Sequence, residues 1–241
     1  MNQFAVITPV PNVIETLVQN SILKKGIERK VLNLKIIDLR AYGLGKHKQI
    51  DDTPFGGGGG MILKPEPLFN AIDFAISWMK DNRDIRVIFP SPVGKNWNQA
   101  LAHKLSKKNK IILICGHYKG IDERVIEQYV TDQYSIGDFV MTNGEIPAMI
   151  IMDSIVRLIP GALNNLRSVL NDTFSHDLLD HPHYTSPREY KEKYVPDILL
   201  SGNHRDIDRW RLQHREKRTI NFRPDIWEKY KNIKELENKN E

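Results

Sequence analysis

Residues 110–124 read KIILICGHYKGIDER, and this stretch decides the fold class. After Lys110 the sequence is apolar up to Cys115, which is typical of a strand that is buried on both faces of a parallel sheet. Gly116 and Gly120 interrupt this pattern, and a helical pattern begins near Asp122. A buried strand, a glycine-containing turn and a helix together form the repeating unit of α/β domains.

Strand and helix patterns alternate in the same way up to about residue 160. The strand candidates are FAVITP, VLNLKIIDL, IRVIFPS, KIILICG and QYSIG. The helix candidates lie around residues 13–30, 67–79, 98–106, 122–129 and 145–159. This alternation predicts an α/β domain with a largely parallel sheet. Beyond Gly161 the sequence turns polar, which predicts a linker and then a smaller helix-rich part in which Asn203 caps a helix.

The composition predicts a soluble, cytoplasmic protein. A chain of 241 residues suffices for one large domain, or for a large and a small one. Its single cysteine, Cys115, excludes an intramolecular disulfide framework and suits a reducing compartment. Residues 1–10 lack the pattern of a signal peptide, and the most apolar run, residues 146–160, is interrupted by Asp153 and Arg157.

The charge of the chain favours a polyanionic partner. The net charge is +5, and residues 204–218 carry six Lys or Arg against three acidic residues, together with Trp210. A solvated helix face would show a similar run of charges, so both interpretations stay open at this point.

Three predicted strands end in glycine-containing loops, at residues 88–95, 112–124 and 135–148. Ligands of parallel α/β sheets bind where strands end, and glycine lets the backbone approach them closely. None of the loops has the spacing of a phosphate-binding P-loop or of a dinucleotide fingerprint, which argues against a nucleoside triphosphatase or a standard dinucleotide site.

A run of five glycines, Gly56 to Gly60, stands in DDTPFGGGGGM. Ordering such a run costs more backbone entropy than ordering any other residue type. A slack linker is one interpretation, but the specific sequence on both sides favours a segment whose bare backbone contacts a ligand.

Seven motifs occur in an order that resembles the bacterial tRNA (guanine-N1)-methyltransferase family, whose members are SPOUT trefoil-knot enzymes. The motifs are DDTPFGGGGGM, SPVG, CGHYKGIDERV, SIGDFVMTNGEIPAM, DSIVRLIPG, LLDHPHYTSP and LLSGNHRDIDRWR. The resemblance extends from the first strand to about Pro224. It implies a parallel-sheet SPOUT domain with a trefoil knot at residues 1–160, a flexible linker at 161–176 and a helical tRNA-binding domain at 177–241. Topology rules alone would argue against a knot.

The resemblance implies methyl transfer from S-adenosyl-L-methionine to N1 of guanine 37, the base 3′ of the tRNA anticodon, by a homodimer whose active site is shared across the interface. N1 must lose a proton while negative charge moves towards O6, so the reaction needs a base at N1 and a cation at O6. By resemblance, Asp172 is the base and Arg157 is the cation. Magnesium dependence is also implied. The sequence itself predicts no metal site, because His176, His181 and His183 lack the paired-ligand spacing of structural zinc.

The resemblance also assigns the binding residues. The donor site comprises Pro92, Gly94, Gly116, Tyr118, Ile136, Gly137, Phe139, Val140, Met141, Gly144 and Pro147. The tRNA-binding residues are Gly57, Gly58, Gly59, His117, Lys119, Asp177, His183, Tyr184, Asn203, Arg205, Arg209 and Arg215, and a base stacked on Trp210 would fit the same surface.

Five positions depart from the usual family pattern. Gly59 replaces a proline, His117 an arginine, Lys119 a glutamate, Asn143 a glycine and His181 a cysteine. The changes at Lys119 and Asn143 support one alternative hypothesis, a catalytically inactive RNA-binding protein. A SPOUT enzyme that modifies another RNA site is a second alternative, and the linker together with the motif SGNHRDIDRWR argues against it.

Overall fold

The computed structural model describes residues 1–80, 83–163, 172–174 and 177–238. The chain divides into two compact units, Met1–Leu166 and Arg167–Glu241. Most of the predicted linker after residue 163 lies outside the described residues, so a flexible linker stays a prediction. In the part of the chain that the structure describes, every helix is too short or too polar to cross a membrane.

The first unit is built on a five-stranded sheet in which each neighbouring pair of strands is parallel. The order is β2-β1-β6-β5-β7. The strands are β1 (Asn2–Thr8), β2 (Leu32–Asp38), β5 (Ile85–Asn96), β6 (Lys110–Ile114) and β7 (Asp132–Ser135), and a small antiparallel pair is formed by β3 (Asp51–Asp52) and β4 (Ile62–Leu63). All five predicted strands and the parallel sheet are confirmed.

The sheet separates two apolar cores, because successive side chains of a strand point to opposite faces. In β1, Phe4 and Val6 belong to one core, and Ala5 and Ile7 to the other. The helices of this unit are α1 (Pro11–Gln19), α2 (Ile22–Glu28), α3 (Pro65–Trp78), α4 (Gln99–Ser106), α5 (Glu123–Tyr129) and α6 (Glu145–Val156). Burial on both faces explains why the central strands are apolar without alternation.

The predicted helix at 13–30 is wrong in one respect, because two helices occupy this region. Helix α1 ends at Gln19 with Asn20 as its C-cap. Ser21 then caps α2 by accepting a hydrogen bond from the Leu23 N–H at 3.2 Å. The other helices begin close to the predicted positions. The side chain of Asn98 accepts from the Leu101 N–H to cap α4, and Asp122 caps α5 through the Arg124 N–H.

Within its described residues, the second unit contains a short hairpin and two α-helices. The hairpin is formed by β8 (Glu189–Tyr190) and β9 (Lys193–Tyr194), and the helices are α7 (His204–Phe222) and α8 (Pro224–Asn238). The hairpin was not predicted, since each of its strands has only two residues. Asn203 precedes α7, but the predicted side-chain cap is wrong, because the Asn203 side chain donates to Asp206 at 2.6 Å and accepts no hydrogen bond from the helix backbone.

Candidate active site

The three glycine-containing loops surround one cleft at the carboxyl ends of the central strands. Its volume is about 380 Å³. Ten of the eleven predicted donor residues line it, namely Pro92, Gly116, Tyr118, Ile136, Gly137, Phe139, Val140, Met141, Gly144 and Pro147. Apolar side chains and glycine backbone thus form the walls, as is common in sites for small molecules.

Gly94, the eleventh predicted residue, is not among the residues that line the cleft. It lies in β5 where the pairing with β7 shifts register between Pro90 and Lys95. A side chain at this position would overlap the backbone of Gln133 and Tyr134. Glycine is therefore needed here so that two strands can approach each other.

Several cleft residues were not predicted, among them Phe89, Ser135 and Thr142, whereas Asn143, one of the departures from the family pattern, does line the cleft. Each stands directly at a strand end or within a loop already singled out, so their position next to the glycines was the available signal. Ser135 supports the loop, because its hydroxyl lies 3.2 Å from the Gly137 N–H.

Gly144 brings two of the loops into direct contact. Its N–H donates to the Gly116 carbonyl at 2.8 Å. A Cβ atom at Gly144 would lie 2.5 Å from the Gly116 nitrogen, so only glycine fits this position without a shift of the backbone. The start of α6 is thereby packed against the end of β6.

Tyr118 projects from the cleft wall in a strained conformation. Its φ of 58° lies in the left-handed region, and its side chain is 58% exposed. A hydrogen bond with Asp51, together with partial burial, raises the pKa of the Tyr118 hydroxyl. Tyr118 consequently links the cleft to the segment that leads into the glycine run.

The glycine run is attached to the cleft at its carboxyl end. The Lys119 N–H donates to the Met61 carbonyl at 3.0 Å, and the aliphatic part of Lys119 covers Gly60. A Cβ atom at Gly57, Gly58 or Gly59 would meet no atom within 4 Å. The backbone of these three glycines is thus free of close contacts where a side chain would stand.

His117 lies in the wall of the cleft but is only 8% exposed. Its Nε2 atom lies 2.8 Å from Glu145 Oε1, and Glu145 is 1% exposed. Lys119, in contrast, is exposed at the mouth of the cleft. Of the two predicted RNA contacts in this loop, Lys119 is therefore the accessible one.

Arg157 forms the carboxyl end of α6 and lines a groove of about 910 Å³ between α1 and α6. The groove is largely apolar and includes Leu17, Ile146 and Ile150. Burial raises the pKa of Asp153 in the same groove, and the nearby Arg157 opposes this shift.

Asp172 lies in the second unit, where it lines a cavity of about 620 Å³. One of its carboxylate oxygens accepts from the Thr173 N–H at 3.1 Å. The cavity also includes Asp180, His183 and Arg215. The two predicted catalytic residues thus belong to different units, and each lines a cavity of its own.

Asp180 is the centre of a charged cluster in this cavity. Partial burial would raise its pKa, but hydrogen bonds from His183 and from the His181 N–H, with the charges of both imidazoles, hold the pKa below its ordinary value. Its carboxylate also lies 3.6 Å from Arg215 Nε. The potential ligand atoms of Asp180, His181 and His183 lie within 4.8 Å of one another. Because Arg215 already compensates the carboxylate, the cluster is explained as an ion-pair network; His176 lies outside the described residues.

The remaining predicted RNA contacts lie on the surface of the second unit. Tyr184 lies 6.4 Å from Trp210, and His214 stacks on Trp210 at 3.9 Å between ring centroids. Arg205 is exposed, Arg209 pairs with Asp206 at 3.1 Å, and Asp177 pairs with Lys229 at 3.3 Å. Aromatic rings and exposed cations on one unit are the chemistry that single-stranded RNA segments require.

Comparisons with known proteins find similar chains. The family model described as tRNA (Guanine-1)-methyltransferase TrmD matches residues 2–229. A tRNA (guanine-N(1)-)-methyltransferase of Staphylococcus epidermidis is 48% identical over 224 residues, which cover 93% of this chain and 90% of the relative. The protein of the same name from Listeria monocytogenes is 46% identical over 220 residues, covering 91% and 89%. That of Staphylococcus carnosus is 48% identical over 227 residues, covering 93% and 90%.

Proposed function

This chain belongs to the tRNA (Guanine-1)-methyltransferase family, and we propose that it transfers a methyl group from S-adenosyl-L-methionine to N1 of guanine 37 in tRNA. The observation that carries the proposal is the match of residues 2–229 to the family, over a chain whose predicted donor residues meet in one cleft.

The cleft at the ends of β5, β6 and β7 is suited to S-adenosyl-L-methionine. Its volume of about 380 Å³ is in the range of small-molecule sites. Ile136, Phe139 and Pro147 offer apolar surface for an adenine ring. When bound, this cofactor supplies an electrophilic methyl group on a sulfonium. We include in the proposal the trefoil knot that the family resemblance implies for this domain.

Asp172 is the proposed general base. A carboxylate within hydrogen-bond reach of the guanine can accept the N1 proton and leave the nitrogen lone pair free to form the new bond. Asp172 lines an open cavity next to the histidines and arginine of the second unit. Such a position admits a nucleobase beside the carboxylate.

Arg157 is the proposed partner of guanine O6. Charge moves onto O6 as N1 loses its proton, and a guanidinium presents several N–H donors in one plane to such an oxygen. Arg157 lines the largely apolar groove between α1 and α6, and a second copy of the chain in this groove would exclude water from the guanidinium and strengthen its electrostatic interactions.

A second copy of the chain is the proposed occupant of the groove between α1 and α6. Leu17, Ile146 and Ile150 are each at least 40% exposed along this groove. An obligate homodimer would bury such an apolar face, and Asp172 of one protomer would then serve the cleft of its partner.

The decisive experiment is to incubate the purified protein with S-adenosyl-L-methionine labelled in the methyl group and with a tRNA that carries guanine 37, and then to map the modified nucleoside. Label at N1 of guanine 37 is expected. Label at another nucleotide, or tRNA binding without any label, would refute the proposal in favour of a different modification site or of an inactive RNA-binding protein. A tRNA with adenine at position 37 serves as the control.

A further inference from the structure

A buried polar network joins three segments around the donor cleft. Glu145 Oε1 accepts a hydrogen bond from the Thr8 hydroxyl at 2.5 Å and lies 2.8 Å from His117 Nε2. Thr8 and Glu145 are each at most 1% exposed. A polar group at this depth is costly unless its hydrogen bonds are made, so the network constrains the positions of all three residues.

Each member of the network belongs to a different part of the fold. Thr8 ends β1, His117 stands in the loop after β6, and Glu145 is the first residue of α6. The Thr8 hydroxyl also accepts from the Val10 N–H at 2.9 Å, which ties the start of α1 to the same point. The Glu145 carboxylate thereby connects the carboxyl end of β1 with two cleft loops.

The charge of Glu145 is stabilised in place. Burial pulls its pKa upward, but hydrogen bonds from His117 and Thr8 outweigh burial and leave the pKa below its ordinary value. An ionised carboxylate only accepts hydrogen bonds, so His117 Nε2 is the donor. The titratable group on the neighbouring strand end is Cys115, and burial, with the nearby Glu145 charge, raises the pKa of its thiol. The adjacent ring of Tyr118 lies 6.0 Å from His117.

The loops that the network joins are also the walls of the cleft. His117 pairs through its backbone with Asn143 and with Gly120, and Gly116, Asn143 and Gly144 all line the cavity. A carboxylate that connects residues 117 and 145 therefore holds together two neighbouring loops of the cleft wall.

We propose that Glu145, held between Thr8 and His117, is a positioning residue that keeps the donor cleft in its binding geometry. The network acts on donor affinity through the two loops and not on the reacting atoms. The inference rests on the proposed function only in so far as the cleft binds S-adenosyl-L-methionine.

The test compares Thr8→Val, which removes the hydroxyl at nearly constant shape, with Thr8→Ser, which keeps it. Thr8→Val removes a hydrogen bond to a charged group, and the loss of such a bond weakens binding substantially. We therefore expect the dissociation constant and the KM for the donor to rise about tenfold. We expect kcat at saturating donor to change less than twofold and Thr8→Ser to bind like the wild type. Glu145→Gln should weaken donor binding in the same way.

Thr131→Val is the control, at an exposed position with similar hydrogen bonds. The Thr131 hydroxyl also accepts from a backbone N–H, that of Val87, and donates to a carboxylate, that of Asp132, at 3.0 and 2.7 Å. Thr131 does not line the cleft. Its loss is expected to leave donor binding unchanged even if the melting temperature falls.

Amide hydrogen exchange of the donor-free protein gives a second readout. Residues 116–120 and 143–146 should exchange faster in Thr8→Val than in the wild type, Thr8→Ser or Thr131→Val. Wild-type donor affinity and exchange in Thr8→Val, or equal losses in Thr8→Val and Thr131→Val, would overturn the inference. If the wild type binds no donor, the proposed function fails, and the exchange comparison still decides whether the network holds the loops.

Discussion

Gly59 differs from its glycine neighbours in backbone conformation. Gly56, Gly57, Gly58 and Gly60 all have positive φ, whereas Gly59 does not. Positive φ favours glycine strongly, so four positions of the run need this residue and the fifth does not. This agrees with the resemblance, in which a proline usually stands in the place of Gly59.

Replacing Gly59 with proline should therefore stabilise the protein. We expect the free energy of unfolding to rise by about 0.5 kcal/mol, because proline lowers the entropy of the unfolded chain. Gly58→Ala is the contrasting variant, since its φ of 106° is strained for any side chain, and it should lower stability by about 1 kcal/mol. Denaturant titrations of both variants measure the difference, and a destabilised Gly59→Pro variant would contradict the expectation.

Asp172→Asn should separate chemistry from donor binding. An amide cannot accept the N1 proton, so kcat should fall at least about a hundredfold while the donor dissociation constant stays unchanged. Asp208→Asn is a suitable control, because Asp208 lines the same cavity and has no assigned role in the reaction. Single-turnover methylation and calorimetric titration with the donor provide the two measurements. Near-normal turnover in Asp172→Asn would exclude this residue as the base.

At the scale of the element, α7 carries two arginines in different environments. Arg209 is 59% exposed and pairs with Asp206 at the surface, where an ion pair contributes little to stability. Arg215 is 14% exposed and lies against Asp180. Arg209 is thus available to a phosphate, whereas Arg215 is held by the cavity of the second unit.

Charge reversal should distinguish these two environments. Arg209→Glu is expected to raise the KM for tRNA about fivefold and to reduce its salt dependence, while donor affinity stays constant. Arg215→Glu would place two like charges together and should lower the melting temperature as well. Lys231→Glu on α8 controls for a change of net charge on an exposed helix. Unaltered tRNA kinetics of Arg209→Glu at low and high salt would remove Arg209 from the RNA surface.

At the scale of the whole molecule, the groove between α1 and α6 predicts that activity requires a dimer. Ile150→Arg places a charge in the apolar face and should convert the protein to a monomer with turnover reduced at least tenfold. Leu236→Arg, at an exposed position of α8, is the control and should leave the mass unchanged. Light scattering after size-exclusion chromatography measures the mass, and a fully active monomeric Ile150→Arg variant would contradict the shared active site.

Local sequence patterns were enough to predict the elements of the first unit and the loops in which its site is found. Strand and helix patterns arise from neighbouring residues, so the five strands, their parallel arrangement and the glycine loops at 116 and 137 were readable without coordinates. The break at Ser21 and the two-residue strands of the hairpin were not, because short local signals are outweighed by the periodic pattern around them.

The three-dimensional fold was needed to identify the residues whose contacts are with partners far away in the sequence. Gly94 belongs by sequence to a cleft loop, yet the approach of β7 makes it a residue of the sheet. By resemblance His117 was expected to contact RNA at the surface, yet the fold buries it against Glu145. Glu145 in turn accepts a hydrogen bond from Thr8, near the start of the chain. The physical reason is that the cost of burying a charge depends on the partners that folding brings to it, and these lie 28 and 137 positions away.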